Sequence, residues 1–112
     1  MSKKGYQITG HLEIKVIENK DEFEGKIEKW NEILIHGDSE GLKSLAKQLV
    51  DLAELDQEKV EDRNLPVGAR EHFHLRPNLD LSKSSTETII GRLDSKRNKE
   101  FPVNYKTKDI LK

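Results

Sequence analysis

Over the first stretch of the chain, apolar residues recur at every second position. Tyr6, Ile8, Leu12, Ile14 and Val16 share one parity, while Gln7, Thr9, His11, Glu13 and Lys15 share the other. This is the period of a strand with one face in the core and one in water. Gly10 sits on the apolar parity and marks a bulge or a bend. The polar run Glu18-Asn19-Lys20-Asp21 predicts a turn, after which Phe23, Gly25 and Ile27 resume the alternation. Strands one and two are therefore expected to form a hairpin. Trp30 breaks the parity, and a third strand is expected at about Glu32 to His36. The pattern leaves open whether strands two and three are one bent strand or two.

The period then changes. Gly37 permits a sharp turn, and Asp38 or Ser39 is placed to cap a helix. Apolar residues follow at Leu42, Leu45, Ala46, Leu49, Val50, Leu52 and Ala53, the stripe of an amphipathic helix with one buried face. Lys43, Lys47, Gln48, Asp51 and Glu54 are assigned to its remaining surface. A polar segment from Asp56 ends in Asn64-Leu65-Pro66-Val67-Gly68, which reads as a loop. Arg70 to Arg76 alternates again, with Phe73 and Leu75 on one side and His72, His74 and Arg76 on the other. Pro77-Asn78 and Lys83-Ser84-Ser85 are turn signals, and Thr86 to Leu93 is β-branched enough for a last strand. The expected fold class is α+β: an antiparallel sheet of about five strands with one long amphipathic helix packed on one face, in the order β-β-β-α-β-β. Residues 1–94 are expected to form the single domain and residues 95–112 a basic C-terminal arm.

Charge sharpens this picture. The 112 residues carry a net charge of only −1, with 37% charged residues and one third hydrophobic, so a thin core under a densely charged surface is expected. Between Glu13 and Asp62 there are fifteen Asp and Glu against seven Lys and Arg, while from Arg92 onward seven basic residues face three acidic ones. An acidic body steers a basic partner, whereas bulk attraction to nucleic acid is not expected. There is no cysteine, which removes disulfides and thiolate metal sites. No apolar run approaches the ~20 residues of a membrane span, and Met1 to Gly5 has no hydrophobic segment behind it. A cytoplasmic protein without membrane contact is the expectation.

Chemistry-bearing constellations are few. His72 and His74, two apart on a strand, project from one face, as two ligands of a small histidine-metal enzyme would, with His36 or His11 to complete the set. The plainer reading makes them half-exposed strand residues, and no HExxH or paired-ligand spacing accompanies them. No serine lies in a strand-to-helix elbow. The two carboxylates of Asp38-Ser39-Glu40-Gly41 repel phosphate at the helix start. No catalytic residue, metal site or cofactor is assigned.

The run Ile35-His36-Gly37-Asp38-Ser39-Glu40-Gly41-Leu42, continued by Leu45-Ala46 and Leu49, then His72-Phe73-His74-Leu75 and Ser82, then Ile89-Ile90 to Leu93, resembles the immunity protein 32 family of bacterial polymorphic-toxin systems. The resemblance spans about Ile33 to Asp94. It implies a small α+β protein, not an enzyme, that protects the producing cell by stoichiometric binding of a cognate toxin domain, covering its active site or substrate cleft; the acidic body suits a basic toxin such as a nuclease. Strand parity and charge nominate the exposed side of the sheet as the binding face: His11, Glu13, His72, His74 and Arg76, while Trp30 is read first as core packing at the sheet–helix junction and second as an exposed anchor of that face. Two other classes stand beside this one, a general interaction module or subunit of a larger complex, and the histidine-metal enzyme.

Overall fold

The computed structural model describes residues 8–60 and 70–109. Its dominant feature is a long hairpin. Strand β1, Leu12–Phe23, pairs antiparallel with β2, Lys26–Gly37, in one unbroken register from Leu12 opposite Gly37 to Phe23 opposite Lys26. The turn is Glu24-Gly25, both residues with positive φ (51° and 78°), the two-residue geometry whose twist matches that of the strands. The helix α1, Ser39–Glu54, follows directly, and a short 3-10 helix spans Gln57–Lys59. Strands β3, His72–Leu75, and β4, Thr88–Gly91, form a second antiparallel pair.

The fold is therefore α+β; the described residues hold one α-helix, as expected, but four strands in two small sheets instead of about five in one. The expected turn at Glu18–Asp21 lies in the middle of β1, and the expected second and third strands are the single strand β2. Tyr6 and Gln7 of the expected first strand, and the Asn64–Gly68 loop, fall outside the described residues. The sheet does not extend past β1 because a serine-rich turn, not a strand, covers that edge. The Ser82 N–H donates to the Leu12 carbonyl (2.9 Å), the Thr86 N–H donates to Ile14 (2.7 Å), and the Ile14 N–H is met by the Ser85 hydroxyl (3.1 Å). A side chain substitutes for one backbone acceptor and ends the ladder there.

The core is small: Leu12 and Ile14 from the base of the hairpin, Leu45 and Leu52 from α1, Phe73 and Leu75 from β3, and Leu81. Only the first two apolar positions of β1 reach it. Residues 20–33 of the hairpin are exposed on both faces, so the ribbon stands out from the body, and the principal extents are 56 × 37 × 24 Å.

The rotation of α1 corrects the expected buried stripe. The row facing the core is Gly41, Leu45, Gln48 and Leu52, whereas Leu42, Leu49 and Val50 are exposed. Gln48, assigned to the surface by its polarity, is buried, with no hydrogen-bond partner for its amide among the described residues. The cause is local. Gly41 presses against the His11 carbonyl so closely that a Cβ there would lie 1.9 Å from its oxygen. That contact fixes which side of the helix turns inward.

One carboxylate ties this junction together. Asp38 Oδ1 accepts the Gly41 N–H (2.7 Å), as the helix cap, and the His11 N–H (3.0 Å), while the Asp38 N–H donates to the His11 carbonyl (3.1 Å). The Gly41 and His11 N–H groups hold the Asp38 carboxyl below its ordinary value of 3.8. A carboxylate whose pKa falls on folding contributes stability above pH 3.8 that is lost as the pH falls through its native value. Thermal denaturation followed between pH 5 and 2 is expected to show this loss, with a shallower acid slope in Asp38→Asn, which keeps the acceptor without the charge.

Candidate functional site

The six residues nominated from the sequence occupy three places. His11 and Glu13 lie at the base of the hairpin, where Glu13 pairs across the strands with His36. The Ser84 hydroxyl donates to the Glu13 carboxylate, and Lys15 Nζ lies 3.6 Å from it. The Ser84 hydrogen bond, followed by Lys15 and His36, lowers the Glu13 pKa against a smaller opposing cost of burial. Ser82 in turn is hydrogen-bonded to both Ser84 and Ser85 at 2.9 Å. His11, Leu12, Glu13, His36, Gly37 and Ser82 line a shallow hollow of about 270 Å³. Strand pairing supplies Glu13 and His36, and the turn over the edge of β1 supplies the hydroxyls. His36, weighed from the sequence only as a metal ligand, and the three serines are not among the six nominated residues. The serine run was legible only as a turn, and its proximity to Glu13 is a contact across 71 positions of sequence.

Trp30 is elsewhere. It faces Asn19 in the ribbon and is 46% exposed. It lies six positions before His36 along β2, which places it roughly 20 Å from the base of the hairpin. Glu18, Asn19, Lys20, Lys29 and Asn31 surround it. It is an exposed indole on a solvated ribbon, not a core residue at a sheet–helix junction.

His72, His74 and Arg76 form the third place, on the side of β3 opposite the buried Phe73 and Leu75. The two imidazoles meet edge to face with centroids 5.1 Å apart. His74 Nδ1 lies 3.9 Å from Glu87, and Arg76 pairs with Asp80 at 3.8 Å. Among the described residues no group of three His, Asp or Glu side chains is placed to hold a metal ion. The structure thus joins His11 with Glu13 and His72 with His74, and leaves Trp30 apart from both.

This is a small α+β domain that presents a projecting ribbon and charged strand faces. The immunity protein 32 family model matches residues 32–93, more than half of the sequence, and the chain belongs to that family. The matched segment runs from the second half of β2 through α1 to the end of β4 and leaves out β1 and the tip of the hairpin. No curated protein and no solved structure matches the chain. No helix among the described residues is long and apolar enough to cross a membrane.

Proposed function

We propose that the chain is an immunity protein that neutralises a cognate bacterial toxin domain in the cytoplasm by one-to-one binding, covering the toxin's active site or substrate cleft. The family match carries this reading. The hairpin supports it and suggests a basic partner: from Leu12 to Gly37 it holds seven Asp and Glu against four Lys. It also carries the exposed Trp30, and indoles are frequent anchors at interfaces. The ribbon tip lies outside the matched segment, as suits a region that distinguishes one toxin from another. His11 and Glu13 at the base of the hairpin, and His72, His74 and Arg76 on the second sheet, provide further polar contacts away from the tip. Exposed carboxylates of this kind accelerate association more than they slow release. The basic stretch 95–112, of which residues 110–112 lie outside the described residues, is read as an arm of the same domain.

The test is co-expression with the toxin-like domain encoded beside this chain. Survival of the cells and co-purification at one to one are expected. Trp30→Ala is expected to weaken the complex by about 2 kcal/mol, roughly thirtyfold, mainly through faster dissociation. Added salt is expected to slow association of the wild type. Toxicity unrelieved by the chain, with no complex formed, would overturn the proposal.

A further inference from the structure

The outer edge of β2 is open along its whole length among the described residues, since the sheet contains only β1 and β2. The phase of its backbone groups follows from hydrogen bonds on the other side. Leu12 and Ile14 give their carbonyls to Ser82 and Thr86, so they do not exchange hydrogen bonds with their cross-strand partners Gly37 and Ile35. In an antiparallel ladder the alternate pairs do so. The N–H and C=O groups of Ile33, Ile35 and Gly37 therefore point away from β1, into the open edge.

Proteins usually blunt such an edge with lysine, proline or a bulge. Lys26 and Lys29 protect the tip of β2, but no lysine, arginine or proline occurs from Trp30 to Gly37, and the register there has no bulge. Ile33 is 68% and Ile35 50% exposed. On the same face, Val16 stands opposite Ile33 and is also exposed, and Leu42 packs over Gly37 at the end of the row.

The segment Glu32-Ile33-Leu34-Ile35-His36 is complementary to itself when reversed. Paired antiparallel about Leu34, Glu32 of one copy lies opposite His36 of the other, and Ile33 opposite Ile35. Leu34 meets its own counterpart. In this register the outward-pointing groups of Ile33 and Ile35 fall opposite each other, as the ladder requires. Centring on Glu32 instead sets two carboxylates face to face. Centring on Ile33 sets Glu32 against Leu34 and Asn31 against Ile35. Charge and apolar matching together select Leu34.

We propose that a second copy of this chain occupies the edge, pairing β2 with β2 about a two-fold axis at Leu34 to form a continuous four-stranded sheet. The inference is independent of toxin binding. The four isoleucines and the two Val16 side chains then share one face, and the apolar surface that each chain exposes becomes a joint one.

Sedimentation of the free chain over a range of concentration is expected to show a reversible dimer of twice 12.9 kDa. Leu34→Lys, which opposes two ammonium groups at the axis, is expected to yield monomer with unchanged circular dichroism. Glu32→Lys is expected to weaken the dimer at least tenfold, and adding His36→Glu to restore it. Asn19→Ala, which removes the Asn19 hydrogen bond to Glu32 inside the hairpin (2.7 Å), is expected to leave the dimer intact. Because the chain has no cysteine, Leu34→Cys provides a direct check. Mild oxidation is expected to link two copies through it, since Cα atoms directly opposite lie within disulfide reach, and Ile27→Cys is not expected to cross-link. A chain that stays monomeric and uncross-linked overturns the proposal, as does a dimer indifferent to Leu34→Lys and Glu32→Lys. Amides of Ile33 and Ile35 that become protected from hydrogen exchange only when a toxin is bound would instead assign the edge to that partner.

Discussion

Gly41→Ala is expected to destabilise the protein by about 3 kcal/mol or more, although the same change inside an ordinary helix is stabilising by up to about 1 kcal/mol. The sign reverses because of one contact. The added Cβ would lie 1.9 Å from the His11 carbonyl oxygen and 2.7 Å from its carbon, and that obstacle is backbone, which does not rotate aside. Relieving it means moving α1 off the base of β1. Such a shift would break the Asp38 carboxylate's bonds to the Gly41 and His11 N–H groups and pull Leu45 from the core. A domain of this size has roughly 6–15 kcal/mol of stability in all, so the loss is a large share of it. Urea denaturation checks the value, with Gly25→Ala as the control. Gly25, unlike Gly41, has positive φ (78°), but an added Cβ meets nothing there, so only a backbone cost of about 1 kcal/mol is expected. A Gly41→Ala protein as stable as wild type would mean that α1 is not seated by this contact.

The same contact explains what was legible in the sequence and what was not. The start of α1 was readable because a cap is a local device: Asp38 and the N–H of Gly41 are three residues apart. The alternation of Phe73 and Leu75 against His72 and His74 was readable because β3 is buried on one face. The rotation of the helix was not, since it depends on a glycine meeting a backbone carbonyl thirty positions away. Hydrophobicity alone counted Leu42, Leu49 and Val50 as buried and Gln48 as exposed, and each is the reverse.

The hairpin tip hid itself for a different reason. From Lys20 to Lys26 both faces are in water, so burial imposes no alternation, and Glu18-Asn19-Lys20-Asp21 looked like a loop. The real turn, Glu24-Gly25, lacks the Asn or Asp that usually announces such a turn. The candidate site was legible as residue types but not as places. Strand parity put five side chains on one exposed side, with Trp30 as an anchor beside them, whereas the ribbon carries Trp30 well away from Glu13, and His72 and His74 belong to a separate sheet.

Arg92→Ala is expected to cost about 2–3 kcal/mol, lowering the melting temperature by roughly 10–15 °C. The last turn of α1 contains no basic residue, so its terminal carbonyls and the negative end of its dipole need a cation from elsewhere. Arg92, just past β4, supplies it. Nη1 donates to the Leu52 carbonyl at 3.1 Å and to Leu55 at 2.8 Å, while Nε and Nη2 grip both oxygens of Asp94 at 2.9 and 2.7 Å. The Asp94 carbonyl accepts from Gln57, whose side chain also accepts the Glu71 N–H. The arginine thus joins the end of α1, the 3-10 helix and the second sheet through groups that are mostly shielded from water. Lysine lacks the planar fork and cannot serve carbonyls and carboxylate together, so Arg92→Lys is expected to recover less than half of the loss. A pH series separates the two halves of the clamp. Arg92 holds the Asp94 carboxyl below its ordinary value of 3.8, so this pair stabilises the fold above that pH and ceases to do so as the pH falls through the native value. Arg92→Ala is expected to abolish that acid step along with the stability, whereas Asp94→Asn is expected to abolish the step while keeping the bonds to Leu52 and Leu55. If Arg92→Ala melted within a few degrees of wild type, the two carbonyls would be satisfied by water, and the second sheet would hold to α1 through the apolar packing of Phe73, Leu75 and Ile90.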